Sequence, residues 1–133
     1  MILGTGIDIV EVFRLRDAIS KWGDSFLTKI FTQREIDYSN SRRFSYQHFA
    51  ARFAAKEAVI KAFGEPRRHP INWTDIEVLN DKEGKPVIEF RKDAMKLKKK
   101  KRVGDVIVSM SHSKNYAFAN VILVKKGDCS QSK

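Results

Sequence analysis

The sequence predicts an α+β domain in which one long, buried helix packs against a small, mainly antiparallel sheet. Two observations indicate this fold class: an alanine-rich stretch without proline over residues 46–63, and short β-branched runs bounded by turn residues elsewhere in the chain. The length of 133 residues and the hydrophobic fraction of 42% are typical of one globular domain. We therefore predict a single domain over residues 1–126 and a polar C-terminal tail over 127–133.

The predicted central helix has both a start signal and a stop signal. Ser45 is a suitable N-cap, and Gly64 lies where a helix C-terminus favours glycine. Alanine covers most of the circumference between them, and phenylalanines recur at helical spacing. A helix that is apolar or small on nearly all sides is a buried helix.

Three charged residues interrupt this apolar helix: Lys56, Glu57 and Lys61. Charged groups in such surroundings must be paired, hydrogen-bonded or facing a ligand. Glu57 and Lys61 are one turn apart, so a plain ion pair worth about 0.3–0.5 kcal/mol is one interpretation and a ligand site is the other. The helix alone does not decide between them, and it assigns no role to Lys56.

One strand and several helical turns are predicted before the central helix. Residues 1–10 form an apolar run that predicts a mostly buried strand, with close backbone approaches at Gly4 and Gly6. Asp8 lies inside this run, where it needs a cation, a metal or backbone donors, unless it caps the next helix. Apolar spacing over 11–21 predicts an amphipathic helix with a basic outer face.

Further helical and hairpin signals complete the chain. Residues 24–40 predict helical structure, in which Thr32 and Glu35 form a capping box. The segment 65–70 holds two prolines and predicts a loop, in which His69 is a surface residue. The predicted strands, joined in two hairpins by turns at 80–86 and 111–115, cover residues 73–78, 87–90, 106–110 and 116–124.

The net charge of +10 implies an anionic partner. Basic residues crowd positions 96–102, which is compatible with a nucleic-acid patch but more typical of a solvated helix end, since no aromatic side chains interleave for base stacking. The single Cys129 excludes a disulfide framework, and no apolar run reaches the length of a membrane span. We therefore expect a cytoplasmic protein without a membrane or nucleic-acid partner.

Three separated elements carry residues that suit one chemistry. Asp8 and Glu57 are carboxylates in apolar surroundings, Lys61 is one turn from Glu57, and His112 lies in a serine-rich turn. Two carboxylates together with phosphate oxygens commonly hold Mg²⁺, and a lysine beside them can neutralise a leaving phosphate. The sequence thus predicts Mg²⁺-dependent chemistry on a diphosphate.

Three motifs, in order, resemble those of the 4′-phosphopantetheinyl transferases. Residues 6–14 resemble the motif Gly-x-Asp-x₅-Arg, and residues 53–62 resemble Phe-x-x-Lys-Glu-x-x-x-Lys-Ala. Residues 109–113 are similar to the Ser-φ-Ser-His-Ser/Thr turn of the short, stand-alone branch, the holo-[acyl-carrier-protein] synthases. The resemblance extends over nearly the whole chain to about residue 124.

The resemblance implies a reaction and a set of site residues. A serine of apo acyl carrier protein would attack the β-phosphate of coenzyme A, giving the holo carrier for fatty acid synthesis and adenosine 3′,5′-bisphosphate. By the family pattern, Asp8 and Glu57 hold Mg²⁺, and Lys61 balances the leaving phosphate. Glu57 is the candidate base for the serine, either directly or through a metal-bound water. The predicted contacts to coenzyme A are Lys61, Gly64, Ser111, His112 and Ser113.

The resemblance also implies two kinds of protein contact. Arg14, Arg16 and Lys21 would meet the acidic carrier protein, and the family's short branch forms homotrimers with active sites between subunits. The chain departs from the family pattern at 65–70, where Arg67 or Arg68 is an alternative phosphate contact. The rival functions are a basic nucleic-acid-binding module and a non-catalytic oligomeric scaffold. The first gives no reason for Asp8, Glu57 and Lys61 in apolar surroundings, and the second explains the alanine-rich helix but not the His112 turn.

Overall fold

Five helices and five strands make up residues 1–64 and 71–127, the part of the chain that the computed structural model describes. Cys129 and the predicted loop at 65–70, with His69, Arg67 and Arg68, lie outside those residues. The elements are β1 (Ile2–Glu11), α1 (Val12–Trp22), α2 (Asp24–Ile30), α3 (Gln33–Asn40), α4 (Ser45–Phe63), a 3₁₀ turn (Trp73–Asp75), β2 (Ile76–Asn80), β3 (Pro86–Phe90), α5 (Lys92–Lys100), β4 (Val103–His112) and β5 (Tyr116–Lys125).

The strands form two antiparallel sheets. The larger sheet has the order β1-β5-β4, and the smaller one is the hairpin of β2 and β3. This confirms the predicted α+β class, with the strands divided between two sheets rather than joined in one. Both predicted hairpins are present, although Ser111 and His112 belong to the end of β4 and not to the turn after it.

Helix α4 packs directly on the larger sheet at two glycines of β1. A Cβ atom on Gly4 would lie 2.0 Å from the carbonyl oxygen of Ala62, and one on Gly6 would lie 2.0 Å from that of Ala58. Only glycine admits this backbone-to-backbone contact. The predicted close approaches are confirmed, and they determine how closely β1 packs against α4.

The ends of α4 follow the sequence signals closely. Gly64 ends the helix in the left-handed conformation, with φ at 70°, as predicted. The prediction of Ser45 as N-cap is wrong by one residue, because Ser45 is already helical and the Phe44 carbonyl accepts the first amide bonds. The interior of the helix is buried, including six alanines.

Strand β1 is only half buried, in contrast to the predicted mostly buried strand. Gly6 and Val10 face α4 and are buried, while Ile7 and Ile9 on the other side are 67% and 55% exposed. Strand alternation explains the difference, because only one side of β1 meets α4. The outer side of the larger sheet is therefore apolar and exposed in a single copy of the chain.

A buried ion pair holds the other side of α4. Lys56 and Glu35 have side chains that are 0% exposed, and their Nζ–Oε1 distance is 2.9 Å. Lys56 also donates to the carbonyls of Trp73, at 2.9 Å, and of Ile76. Burial lowers the pKa of Lys56, and the nearby Glu35 carboxylate opposes that shift.

The Glu35 carboxylate also accepts hydrogen bonds from two backbone amides. Its carboxylate accepts the amide of Thr32 at 2.8 Å and the amide of Val78 at 2.7 Å. The first of these bonds completes the predicted capping box, which is confirmed. A buried ion pair is tolerated when hydrogen bonds satisfy its other donors and acceptors, as they do here.

The predicted strand at 73–78 is wrong over 73–75, because Trp73–Asp75 form the 3₁₀ turn and β2 begins at Ile76. Helix α1 buries Val12 and Leu15, and the basic run at 96–102 forms the solvated end of α5 with the turn after it. No helix within the described residues combines the length and the apolar character that crossing a membrane requires.

Replacing Lys56 by methionine should lower the free energy of unfolding by about 3–5 kcal/mol, because Glu35 is left charged and unpaired in the core. Urea denaturation followed by circular dichroism measures the loss. Lys100→Met, at the exposed end of α5, is the matched control and should change stability by less than about 0.5 kcal/mol. Equal small effects of both substitutions would contradict the structural role of the pair.

Candidate active site

A cleft of about 650 Å³ opens between β1, α1 and α4. Three acidic side chains, Asp8 and Glu11 from β1 and Glu57 from α4, line it together with Arg14 from α1. The other lining residues are Ile9, Val10, Leu15, Ala18, Phe26, Phe53 and Tyr116. The cleft thus combines three carboxylates and a guanidinium with a mainly apolar wall.

An ion pair with Lys61 connects Asp8 of β1 to α4. The Lys61 ammonium lies 2.8 Å from Asp8 Oδ1 and donates to the Ile7 carbonyl at 3.1 Å. Asp8 does not cap the next helix, since Glu11 occupies the N-cap position of α1. The plain Glu57–Lys61 ion pair is also wrong, because the cation of Lys61 is paired with Asp8.

Glu57 is half-buried in the same cleft. Burial raises the pKa of its carboxyl group, the charge of Asp8 raises it further, and Lys61 opposes the shift. A carboxylate whose pKa is raised holds a proton more readily, which suits a general base.

His112 lies at the opposite end of α4 from this cleft. Its Nδ1 is 2.9 Å from Oε1 of Gln47, and its ring centroid is 4.9 Å from that of His48. Gln47 and Glu57 are ten residues apart, which corresponds to about 15 Å along a helix. A single copy of the chain therefore does not bring His112 to Asp8 and Glu57, contrary to the expectation that they share one site.

Comparison with known proteins identifies the family. A model of the 4′-phosphopantetheinyl transferase superfamily matches residues 4–121. The chain belongs to this superfamily. It is 42% identical over 123 residues to a holo-[acyl-carrier-protein] synthase of Geobacter sp. strain M21, covering 92% of this chain and 98% of the relative. A synthase of the same name from Koribacter versatilis is 45% identical over 123 residues, covering 92% and 98%.

Solved structures of the superfamily share the fold. The holo-[acyl-carrier-protein] synthase of Neisseria meningitidis has a TM-score of 0.86 and 31% identity, covering 94% of this chain and 100% of that one. The synthase of Bacillus anthracis in complex with CoA (3′,5′-ADP) has a TM-score of 0.77 and 34% identity, covering 95% and 99%. These likenesses confirm the predicted family and fold.

Asp8 and Glu57 of the transferase cleft fit a divalent cation. Carboxylate oxygens are the ligands that Mg²⁺ prefers, and it is usually held by one or two of them plus substrate phosphates. The charge of Asp8 raises the pKa of Glu57, and a cation between them would remove this repulsion. No group of three metal-ligating side chains occurs within residues 1–64 and 71–127, so the substrate would have to complete the coordination.

The other residues predicted for coenzyme A lie at both ends of α4. Ser111 and Ser113 flank His112, and Ser113 Oγ lies 3.4 Å from the Tyr116 carbonyl. Gly64 ends α4 on the side of Lys61, directly before the segment 65–70. The structure therefore places Lys61 and Gly64 on the side of Asp8. It places His112 beside Gln47 near the start of α4, while Ser113 contacts Tyr116 of the cleft lining.

The three residues predicted for carrier binding are divided between two faces of α1. Arg14 lines the acidic cleft, and Lys21, two turns further along, pairs with Asp17 at 3.2 Å. Arg16 instead lines a separate cavity of about 400 Å³ with Arg43. Arg14 thus belongs to the candidate active site as much as to a carrier surface.

Several residues of the two sites escaped the sequence analysis. Tyr116 reaches the cleft because β1 and β5 pair with Tyr116 opposite Glu11. Gln47 and His48 contact His112, and that contact joins residues 65 positions apart. The serine-rich turn was a usable signal for His112, but no local pattern could supply its partners.

The pKa of His48 should be below its usual value of about 6.5, because burial and then the charges of His112, Arg52 and Arg42 disfavour protonation. The unfolded chain then binds a proton that the folded chain does not. Stability contributed by neutral His48 should therefore be lost as the pH falls below about 6.5.

Proton NMR titration of the His48 ring measures this pKa directly. His112→Gln should move the pKa of His48 back toward its usual value, and His48→Gln should flatten the dependence of stability on pH between 5 and 7. A pKa of His48 at or above about 6.5 in the wild type would contradict this electrostatic description.

Proposed function

We propose that the chain transfers the 4′-phosphopantetheine group of coenzyme A to a serine of apo acyl carrier protein, for fatty acid synthesis. The observation that carries the proposal is the pairing of Asp8 and Glu57 in one cleft of a chain of this superfamily. Relatives above 40% identity are named for this reaction, and related structures hold coenzyme A. The products are holo acyl carrier protein and adenosine 3′,5′-bisphosphate.

The reaction exchanges one phosphorus–oxygen bond for another. The serine oxygen bonds to the β-phosphorus of coenzyme A, while the bond from that phosphorus to the bridging oxygen breaks. Adenosine 3′,5′-bisphosphate leaves with the bridging oxygen. Glu57 takes the serine proton, a role that its raised pKa supports.

Cations around the cleft balance the phosphate charge. Lys61, held by Asp8, would neutralise the leaving bisphosphate, and Arg14 in the cleft is placed to bind an anionic group of either substrate. Asp8 and Glu57 would hold Mg²⁺, which when bound supplies Lewis-acid stabilisation of the diphosphate charge. Arg16 and Lys21 extend the positive surface of α1, which favours encounter with an acidic carrier.

A homotrimer with active sites between subunits is the second part of the proposal. The outer side of the larger sheet exposes five apolar side chains in a single copy of the chain: Ile7, Ile9, Ile107, Tyr116 and Phe118. Contiguous exposed apolar surface of this kind marks an interface. A neighbouring copy on this face would cover it and offer its own His112 turn, with Ser111 and Ser113, to the coenzyme A bound beside Glu57.

The remaining expectations stay predictions. These are a single domain over residues 1–126, a polar tail over 127–133 and a cytoplasmic location. The rival nucleic-acid function is not favoured by any contact in the described residues.

Wild-type protein incubated with coenzyme A, Mg²⁺ and apo acyl carrier protein should add one phosphopantetheine mass to the carrier, as measured by mass spectrometry. Glu57→Gln should slow the transfer by roughly 10²–10⁴-fold, the usual contribution of a general base. Glu83→Gln, in the exposed turn between β2 and β3, is the matched control and should retain full activity. No mass gain with several apo carriers would refute the proposed function, and full activity of Glu57→Gln would remove Glu57 from the mechanism.

Phe118→Asp should dissociate the trimer, because it places a charge at the centre of the outer apolar face. Sedimentation velocity reports the assembly state, and circular dichroism reports the fold. Val87→Asp is the matched control, since Val87 is an exposed apolar residue of similar exposure, at 38% against 41%, on the smaller sheet. Monomers in the wild type, or an unchanged trimer in Phe118→Asp, would contradict the assembly.

A further inference from the structure

A third cavity, of about 480 Å³, lies where α5 ends against the strand ends of the larger sheet. Four of its lining residues are cationic, Lys99, Arg102, Lys125 and Lys126, and the other two are Val103 and Gly127. None of the six is acidic or aromatic. The described residues that line the cavity therefore carry several positive charges and no negative charge.

This cavity is distant from the acidic cleft. Strand β5 passes Asp8 at Ala119, which is its register partner, and reaches Lys125 six residues later. At a rise of about 3.3 Å per residue, six residues correspond to about 20 Å. An anion bound at Lys125 would not reach the carboxylates of the cleft.

Arg102 has a left-handed backbone conformation where α5 ends. Arg102 follows the last turn of α5 with φ at 59°, in the left-handed region that favours glycine at this position of a helix end. A side chain there costs about 1–2 kcal/mol relative to glycine. This left-handed turn places Arg102 in the lining of the cavity.

Backbone bonds hold the cationic segments together. The Arg102 amide donates to the Lys99 carbonyl at 3.1 Å, and the Lys126 amide donates to the Arg102 carbonyl at 2.8 Å. The favourable field at a helix C-terminus accounts for the lysines of α5. It does not account for Lys125 and Lys126, which belong to the end of β5 and the residue after it.

We propose that this cavity binds a compact anion carrying several phosphate groups. Two lysines from the sheet end, one from α5 and the Arg102 guanidinium supply ammonium and guanidinium donors, which suit phosphate oxygens. A lining without aromatic side chains offers nothing on which a nucleobase could stack, so the recognition is of the phosphates themselves. A free polyphosphate and the headgroup of a polyphosphorylated lipid share this chemistry.

Tripolyphosphate is the probe, and isothermal titration calorimetry with the whole chain measures its binding in the absence of coenzyme A and carrier protein. Wild-type protein should bind it with a measurable dissociation constant. Arg102→Gly removes the guanidinium and relieves the strained backbone at once, so affinity should fall roughly tenfold or more while the melting temperature stays equal or rises. Arg102→Lys should restore part of the affinity.

Lys92→Gly is the matched control for charge and strain. Lys92 also has a positive φ, of 48°, and lies on the same helix, but it does not line the cavity. Its replacement should leave the affinity for tripolyphosphate unchanged. Lys61→Met tests whether tripolyphosphate binds in the acidic cleft instead. If Lys61→Met lowers the affinity and Arg102→Gly does not, the anion binds in the cleft and the proposal is overturned.

Vesicles containing a polyphosphorylated lipid distinguish the source of the phosphates. The wild-type protein is tested for sedimentation with these vesicles. If it sediments with them, and if both the Arg102→Gly substitution and added tripolyphosphate prevent this, the result would support the site with a lipid headgroup as ligand. Tripolyphosphate binding without vesicle binding would support it with a free anion. Absence of saturable tripolyphosphate binding would overturn the proposal. RNA binding that every lysine substitution weakens to the same extent, and that does not depend on Arg102, would also overturn it. Because no step uses coenzyme A or carrier, this result is independent of the transferase assay.

Discussion

The orientation of α4 is the constraint on which the rest of the structure depends. On one side, its backbone touches β1 at Gly4 and Gly6, where any other residue would collide with the helix. On the other side, the buried pair of Lys56 and Glu35 locks its rotation against α3 and the smaller sheet. Glu57 follows Lys56 by one residue, about 100° around the helix, so the same lock that buries Lys56 directs Glu57 into the cleft beside Asp8.

The sequence predicts most of the elements because their signals are local. Alanine content and Gly64 define α4, the Thr32 capping box defines the start of α3, and turn residues delimit both hairpins. Residue types also predict the chemistry of the cleft, since carboxylates in apolar runs demand a cation or a ligand. Local signals do not predict which charged residues pair with each other. Lys56 meets a glutamate 21 positions away, and Lys61 meets Asp8 rather than its helical neighbour Glu57.

The exposed outer side of β1 explains a second difference between sequence and structure. The continuous apolar run in residues 1–10 is typical of a strand covered on both faces, yet one copy of the chain covers only one face. In the proposed trimer, the run is apolar because a neighbour completes its burial. The same proposal explains the distance of His112 from Glu57 within one chain, because in the trimer the third motif would serve the cleft of an adjacent copy. Sequence cannot separate contacts within a chain from contacts between chains.

Subunit mixing tests this central claim most directly. Glu57→Gln and His112→Ala variants, each strongly impaired alone, are combined in equal amounts under conditions of subunit exchange, and transfer to the carrier is measured. If each site takes Glu57 from one copy and His112 from the next, one site in three is intact in every trimer that contains both variants. After random exchange this is about a quarter of all sites, and activity should return to about that fraction. Activity that stays at the level of the separate variants would show that Glu57 and His112 act within one chain or not in the same site, and would contradict the account.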